Sequence, residues 1–341
     1  MTKTAPTKGS ERFIVQKTVS SGLQARQEKN AAAPPAIAAV ICTHNRYDVL
    51  SDALGSLEAQ TLAPAALQIL IIDNSTDLDG QKLFWSTHEL PANARLVFEK
   101  TPGLSRARNL GVRESRAPII AYMDDDAIAM PGWCAAIADT FANFPDAGIV
   151  GGPVEPMWPG APPQWLHKWQ RGFLTIVDHG PDRRTLKEGE WLAGTNIAFR
   201  KSALEQGGGF NEALGRIGLS LLSNEELALA AKIKALGFSS YYDPNVKVLH
   251  RVHGDRATQQ WLRRRVCWQA VSDLLTATPK LEGERCWQKL ADYLVEVPPE
   301  MRGVRGLFLD VPDPDLFYKQ CEALEAVMYL ALSDGRDPEK A

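Results

Sequence analysis

Apolar residues along this chain gather either in short unbroken runs or at helical spacing, and the two patterns alternate from residue 37 onward. Ile37 to Cys42 is wholly apolar and reads as a short buried strand, and a helical pattern follows from Tyr47 to Gln60. Gln68-Ile69-Leu70-Ile71-Ile72 is a second such run, which stops at Asp73-Asn74-Ser75. Further strands are expected over Arg95 to Phe98 and Pro118 to Met123, with a helix over Ser105 to Ser115 between them. Near-continuous apolar strands alternating with helices predict a mostly parallel sheet covered on both faces. Ligands of such sheets collect beyond the carboxyl ends of the strands, so the acids at those ends, Asp73 and Asp124-Asp125-Asp126, become candidates.

The pattern then loosens. Gly151 to Gly180 is rich in Pro, Gly and Trp and reads as an irregular connection. A helix is expected from Asn224 to Leu236, ended by Gly237, followed by a strand from Val246 to His250. Beyond Arg256 the spacing of Trp261, Val266 and Trp268, and later of Leu324, Val327, Met328 and Ala331, is helical. Ahead of the first strand, the residues up to about 30 are polar apart from Phe13-Ile14-Val15, too short for a signal-peptide core. Ala31 to Pro35 reads as a linker. The expected division is a leader and linker over residues 1–36, an α/β domain over 37–255 and a helical extension over 256–341.

Composition narrows the partners. A chain of 341 residues, 45% hydrophobic, can bury one large core. A net charge of -3 supplies no global basic field, so nucleic acid is not an expected partner. The five cysteines are scattered without a CxxC pair and read as thiols of a reducing compartment. No uninterrupted apolar stretch is long enough to span a bilayer. The expectation is a cytoplasmic protein whose membrane contact, if any, is peripheral at the inner face.

Three carboxylates at the mouth of an apolar strand repel one another unless a cation or water neutralises them. Asp124-Asp125-Asp126 is therefore either a hard-metal site or a solvated acidic turn that caps the next helix. The wider pattern resembles glycosyltransferase family 2 proteins of GT-A fold, in order over roughly residues 37 to 255. Val40-Ile41-Cys42-Thr43-His44-Asn45-Arg46 is similar to that family's opening strand and nucleotide loop, and Ile71-Ile72-Asp73-Asn74-Ser75-Thr76-Asp77 to its second strand. Gly103 to Gly111 and then Tyr122-Met123-Asp124-Asp125-Asp126 follow at family-like spacing.

The resemblance implies an α/β GT-A fold: a Rossmann-like nucleotide-binding half, an acceptor half and a mixed, mostly parallel sheet, here with the helical C-terminal extension. It implies a hexosyltransferase-like enzyme that uses Mg²⁺ or Mn²⁺. The sugar moves from a nucleotide-sugar donor, with UDP the expected nucleotide, to a hydroxyl of a glycan, lipid-linked or other acceptor, as in polysaccharide biosynthesis. Asp124 and Asp126 become the metal pair, with Asp126 the direct ligand and His250 beside it. Thr43, Asn45, Arg46, Asp73, Arg108 and Asp125 fall on the donor side. Trp191, Gly194 and Asn196 fall on the acceptor side. Ser223-Asn224-Glu225-Glu226 is similar to the family's ED-type motif, with Glu where Asp is usual, which makes Glu226 the expected base and Glu225 its neighbour.

Each of these residues also has a plainer reading. Ser223-x-x-Glu226 is equally a capping box opening an amphipathic helix. Arg108 could be a helix-surface cation, and His250 a satisfied histidine ending a strand. The Arg263-Arg264-Arg265 run beside Trp261 and Trp268 could reach phosphates or an anionic membrane surface, but reads rather as a solvated helix face and is not counted as a site. Two rival functions stay open: a nucleotidyltransferase, although a Gly- and basic-rich phosphate loop is missing after the first strand, and a catalytically silent carbohydrate-binding protein that stacks sugars on Trp158, Trp165 and Trp169.

Overall fold

Strands apolar on both faces need cover on both sides, and the chain provides it. In the computed structural model, which describes residues 34–216, 218, 220–276 and 283–333, β1 (Ile37–Thr43) leads through α1 (Tyr47–Glu58) to β2 (Leu67–Asp73), α2 (Leu78–Thr87) and β3 (Ala94–Phe98). α3 (Leu104–Glu114) and β4 (Ile119–Asp124) follow. β3, β2, β1 and β4 lie side by side and parallel. Because side chains alternate across a strand, Ile37, Ala39, Ile41, Ile69 and Ile71 pack on one face with Leu50 and Leu57. Ala38, Val40, Leu70 and Ile72 pack on the other with Ala107 and Val112. The polar leader and Ala31 to Ala33 of the linker lie outside the described residues.

The second half adds β5 (Ala127–Ala129), α4 (Trp133–Asn143), β6 (Ala147–Gly151), β7 (Val154–Met157) and the two-residue β8 (Arg184–Thr185). β9 (Asn196–Arg200), α5 (Lys201–Gln206), α6 (Glu225–Ala235), β10 (Ser239–Tyr242) and β11 (Val248–Arg251) complete it. β9 runs antiparallel between β4 and β6, which gives an eight-stranded mixed sheet in the order β3-β2-β1-β4-β9-β6-β10-β8. β5, β11 and β7 form a small second sheet. The stretch expected to be irregular from Gly151 to Gly180 thus holds β7 and a 3-10 helix over Lys168–Leu174. The last strand begins at Val248 rather than Val246, because Val246 N donates to Asp243 O in a turn.

The C-terminal region is helical: α7 (Gln259–Leu275), α8 (Gly283–Glu296) and α9 (Pro314–Ser333). These helices share a hydrophobic cluster with the Pro- and Trp-rich segment, in which Leu174 is buried with Leu262, Val266, Phe317 and Leu324, and Trp158 and Trp165 pack against it. The Trp165 ring meets Phe317 edge-on at 5.0 Å. Trp169 is exposed, so the three tryptophans build no common stacking surface. Among the described residues no helix is long and apolar enough to cross a membrane.

Candidate active site

The register of the parallel strands lines up their carboxyl ends: Thr43 pairs with Asp73 across β1 and β2, and Cys42 with Asp124 across β1 and β4. The tight turn after β4 then brings the next two aspartates back under the loop that follows β1. Thr43 Oγ1 donates to Asp125 Oδ2 at 2.7 Å, Arg46 Nη1 pairs with Asp125 Oδ1 at 3.0 Å, and Arg46 Nη2 with Asp126 Oδ2 at 2.5 Å. Burial pushes the Asp125 carboxyl up to about 7, with Asp126 adding repulsion and Arg46 opposing both. Burial acts the same way on Asp126, but the imidazoles of His250 and His253 and the charge of Arg46 outweigh it and hold that carboxyl well below the usual range.

β11 crosses beneath this turn through the bond from Arg251 N to Asp126 O, and it sets His250 Nε2 at 3.4 Å from Asp126 Oδ1. A carboxylate oxygen of Asp124, one of Asp126 and a ring nitrogen of His250 lie within 4.8 Å of one another. Asp126 Oδ1 and His250 Nδ1 are both buried without a hydrogen bond. Two carboxylates and an imidazole with unspent lone pairs are a donor set suited to Mn²⁺ or Mg²⁺. The structure therefore brings together the three residues singled out as metal ligands.

Arg108, on α3, is no surface cation. Its guanidinium is buried, donates to Glu225 Oε1 at 2.8 Å and lies 3.6 Å from Asp124 Oδ1. Gly194 makes room for it: a Cβ there would sit 2.6 Å from Arg108 Nη2. Arg108 thus ties the aspartate cluster of β4 to the start of α6. There, Asn224 N-caps the helix in a left-handed conformation without a side-chain bond to it. Ser223 lies one residue earlier, with its hydroxyl among Asn224, Gln269 and Ser272 and accepting from Arg265. The capping box is therefore not formed, and Glu226 is released from that role. Glu226 Oε2 is buried without a hydrogen bond, and burial, with repulsion from Glu225 against the pull of Arg108, lifts its carboxyl to about 7. Glu226 also opens onto a cleft of about 520 Å³ that runs beside α6, lined by Trp191, Leu192, Lys187, Lys234 and Phe238 among others.

Other candidates make hydrogen bonds within the protein. Asn45, at φ 56°, accepts from Thr76 N and Asp77 N and so ties the β1 loop to the β2 loop. Asp73 is 1% exposed and accepts from Tyr47 OH, Trp85 Nε1 and Ser75 N, which makes it the floor of the β1–β2 edge. Asn196, fully buried, spends its amide on Pro153 O, Val246 O and Trp133 Nε1 inside the sheet rather than in the cleft.

Residue-by-residue reading of the sequence missed a cationic group on the opposite wall. His253 Nε2 lies 3.2 Å from Asp126 Oδ2, and Arg256 Nη1 lies 3.9 Å from the same oxygen. Arg265 has a buried Nη1 without a partner. Burial and the neighbouring charge of Arg216 both weaken the hold of Arg256 and Arg265 on their protons, Arg265 to about 10 although Glu226 and Glu225 oppose it. Crowded cations of this kind are set to receive an anion. The only signal in the sequence was the arginine run, whose partners lie far away along the chain.

Comparison with known proteins identifies the family. Residues 38–208 match the family model described as glycosyl transferase family 2. A glucosyl-dolichyl phosphate glucuronosyltransferase of Haloferax volcanii is 28% identical over 307 residues, 88% of this chain and 94% of that protein. The succinoglycan biosynthesis protein ExoM of Rhizobium meliloti is 25% identical over 229 residues, 66% of this chain and 70% of that protein. A solved structure of the mannosyltransferase PcManGT from Pyrobaculum calidifontis, in complex with GDP-Man and Mn2+, superposes with a TM-score of 0.52 at 18% identity, covering 93% of this chain and 82% of that one. The likeness to it fixes the fold as the GT-A type.

Proposed function

The chain belongs to glycosyl transferase family 2, and from that premise we propose that it transfers a sugar from a nucleotide-diphosphate sugar, a UDP-sugar, to a hydroxyl of a glycan or lipid-linked acceptor with inversion at the anomeric carbon. One observation carries the reading. Among the described residues, five of the eight buried polar side-chain atoms without a hydrogen bond belong to residues of this site: Asp126 Oδ1, His250 Nδ1, Glu225 Oε2, Glu226 Oε2 and Arg265 Nη1. Leaving so many such groups unpaired costs about 1–3 kcal/mol each, which a donor and an acceptor would offset by supplying their partners.

In this reading Asp124, Asp126 and His250 hold Mg²⁺ or Mn²⁺, which offsets the negative charge that grows on the departing diphosphate. Arg216, Arg256 and Arg265 face the same anion from the other wall. Arg108 holds Glu225 as a charged pair, so the proton falls to Glu226, whose elevated carboxyl suits a base working near neutral pH. The acceptor hydroxyl enters along the cleft past Trp191, its oxygen bonds to the anomeric carbon as Glu226 takes its proton, and the bond to the nucleoside diphosphate breaks with its electron pair leaving on the phosphate oxygen. An acceptor of the lipid-linked class is supported by the name of the archaeal relative, which acts on a glucosyl-dolichyl phosphate.

The test has two parts. Thermal shift with UDP-glucose, UDP-glucuronic acid and GDP-mannose identifies the donor as the one that raises Tm with Mn²⁺ and loses that effect with EDTA. Glu226→Gln then lowers release of nucleoside diphosphate by about 10²-fold or more at unchanged donor affinity. Near-normal turnover in that variant removes Glu226 as the base.

A further inference from the structure

A buried polar network joins the start of α6 to the C-terminal helices, and Gln269 Oε1 in it also accepts from Arg265 Nη2 at 2.8 Å. Asn224 sits at φ 74°, a backbone conformation that L-residues other than Asn and Asp seldom hold. Its side chain turns away from the helix it begins. Asn224 Nδ2 donates to Asp273 Oδ1 at 2.7 Å, and its Oδ1 accepts from Gln269 Nε2 at 2.9 Å. Gln269 Nε2 also donates to Asp273 Oδ1 at 2.7 Å, and Tyr329 OH donates to Asp273 Oδ2 at 2.8 Å. The preceding peptide is fixed as well, Ser223 N donating to Ser272 Oγ at 3.1 Å. Gln269, Ser272 and Asp273 come from α7 and Tyr329 from α9, and none of them is more than 7% exposed.

Burying a carboxylate, an amide pair and a phenol together is costly unless each is satisfied, and apolar residues of the same size would stabilise these helices at least as well. What the network does that apolar packing cannot is to grip one side chain in one orientation, and that side chain belongs to the residue that sets the entry of α6. A change of φ at Asn224 swings the first helical turn, and Glu226 stands on that turn. A displacement of about 1 Å at a reacting group costs on the order of 10²-fold in rate.

We propose that Gln269, Asp273 and Tyr329 are positioning residues, through which the C-terminal helices hold Asn224 in its left-handed turn and so aim Glu226 at the acceptor hydroxyl. The role rests on Glu226 being the base, and it adds to Arg256 and Arg265 a second, indirect contribution of the helical extension to the site.

The test is a double-mutant cycle on the full chain, with release of UDP from UDP-glucuronic acid in the presence of Mn²⁺ as the probe. Asp273→Asn and Tyr329→Phe, both close to isosteric, are made alone and in the Glu226→Gln background. Each single variant is expected to lower kcat, Asp273→Asn by about tenfold or more, with KM for the donor unchanged, and to cause no further loss once Glu226 is Gln. Asn224→Gly and Asn224→Ala serve as a second pair. Both lack the amide, but glycine takes φ 74° without strain, so the glycine variant retains several-fold more turnover than the alanine one at matched stability. Unchanged kcat in Asp273→Asn and Tyr329→Phe with only a lower Tm, or the same fractional loss in both backgrounds, overturns the proposal. If Glu226→Gln itself turns over normally, the base assignment has failed, and the positioning role falls with it for that separate reason.

Discussion

At the scale of single residues, the two adjacent glutamates have different partners, and the difference has measurable consequences. Glu226 has its carboxyl lifted to about 7, chiefly by burial, and it acts only when deprotonated. Turnover should therefore fall about tenfold per unit as pH drops below about 7 and level off above it, and this acid limb should vanish from the residual activity of Glu226→Gln. The raised value also means that Glu226 favours folding below the ordinary carboxylate range and loses that contribution as pH rises through about 7. Its replacement by Gln should then leave Tm at pH 8 unchanged or higher. Glu225 is the contrary case, because its charge balances the buried Arg108. Glu225→Gln should cost about 3 kcal/mol, seen as a fall in Tm of several degrees. An equal Tm for the two variants would contradict this division. The arginine run carries the matching lesson. Arg263 is 6% exposed and bonds Asp310, Gln259 and Gln320, and Arg265 donates to Ser223 and Gln269, so of the three only Arg264 is exposed. Three consecutive charges look solvated in a sequence because their partners, 40 residues and more away for Asp310 and Gln320, leave no local mark.

At the scale of elements, what could be read depended on how much of a strand's pattern is its own. β1, β2 and β4 are unbroken apolar runs because both their faces are covered, and their ends, with Thr43, Asp73 and Asp124, fall within a residue of where the sequence places them. β9 runs Asn-Ile-Ala-Phe-Arg, and the side chains at its polar ends are satisfied by partners that folding brings: Trp133 of α4 and the carbonyls of Pro153 and Val246 for Asn196, and the Ala147 carbonyl of β6 for Arg200. Nothing in those five residues alone marks a central strand. The same dependence makes a residue two positions before that strand sensitive. Gly194→Ala sets a methyl carbon against the Arg108 guanidinium, which is buried and paired with Glu225. Turnover should drop at least tenfold through displacement of the Arg108–Glu225 pair, whereas Gly160→Ala, in open space on a connecting loop, should leave it unchanged. Equal activity in the two variants would show that the pair tolerates the shift.

At the scale of the whole molecule, the helical extension is distinct along the chain and continuous in the core. Leu262, Val266, Phe317 and Leu324 bury themselves against Leu174 and Val252, with Trp158 and Trp165 alongside. Removing residues 256–341 would uncover that cluster, so a chain ending at residue 255 should be recovered insoluble or without a cooperative melting transition. A soluble fragment that melts cooperatively would show that the α/β part closes its own core. The order of strands in the main sheet also bears on how a ribosome makes this protein. β1 to β4 leave first and can pair in sequence, but β6 has no seat until β9, synthesised after it, arrives to lie between it and β4. The aspartates are therefore in place early, while Glu226 must wait for Tyr329, tens of seconds later at ordinary rates of translation. Until that helix emerges, the nascent chain can pair the strands that carry its aspartates but cannot yet hold its base in place.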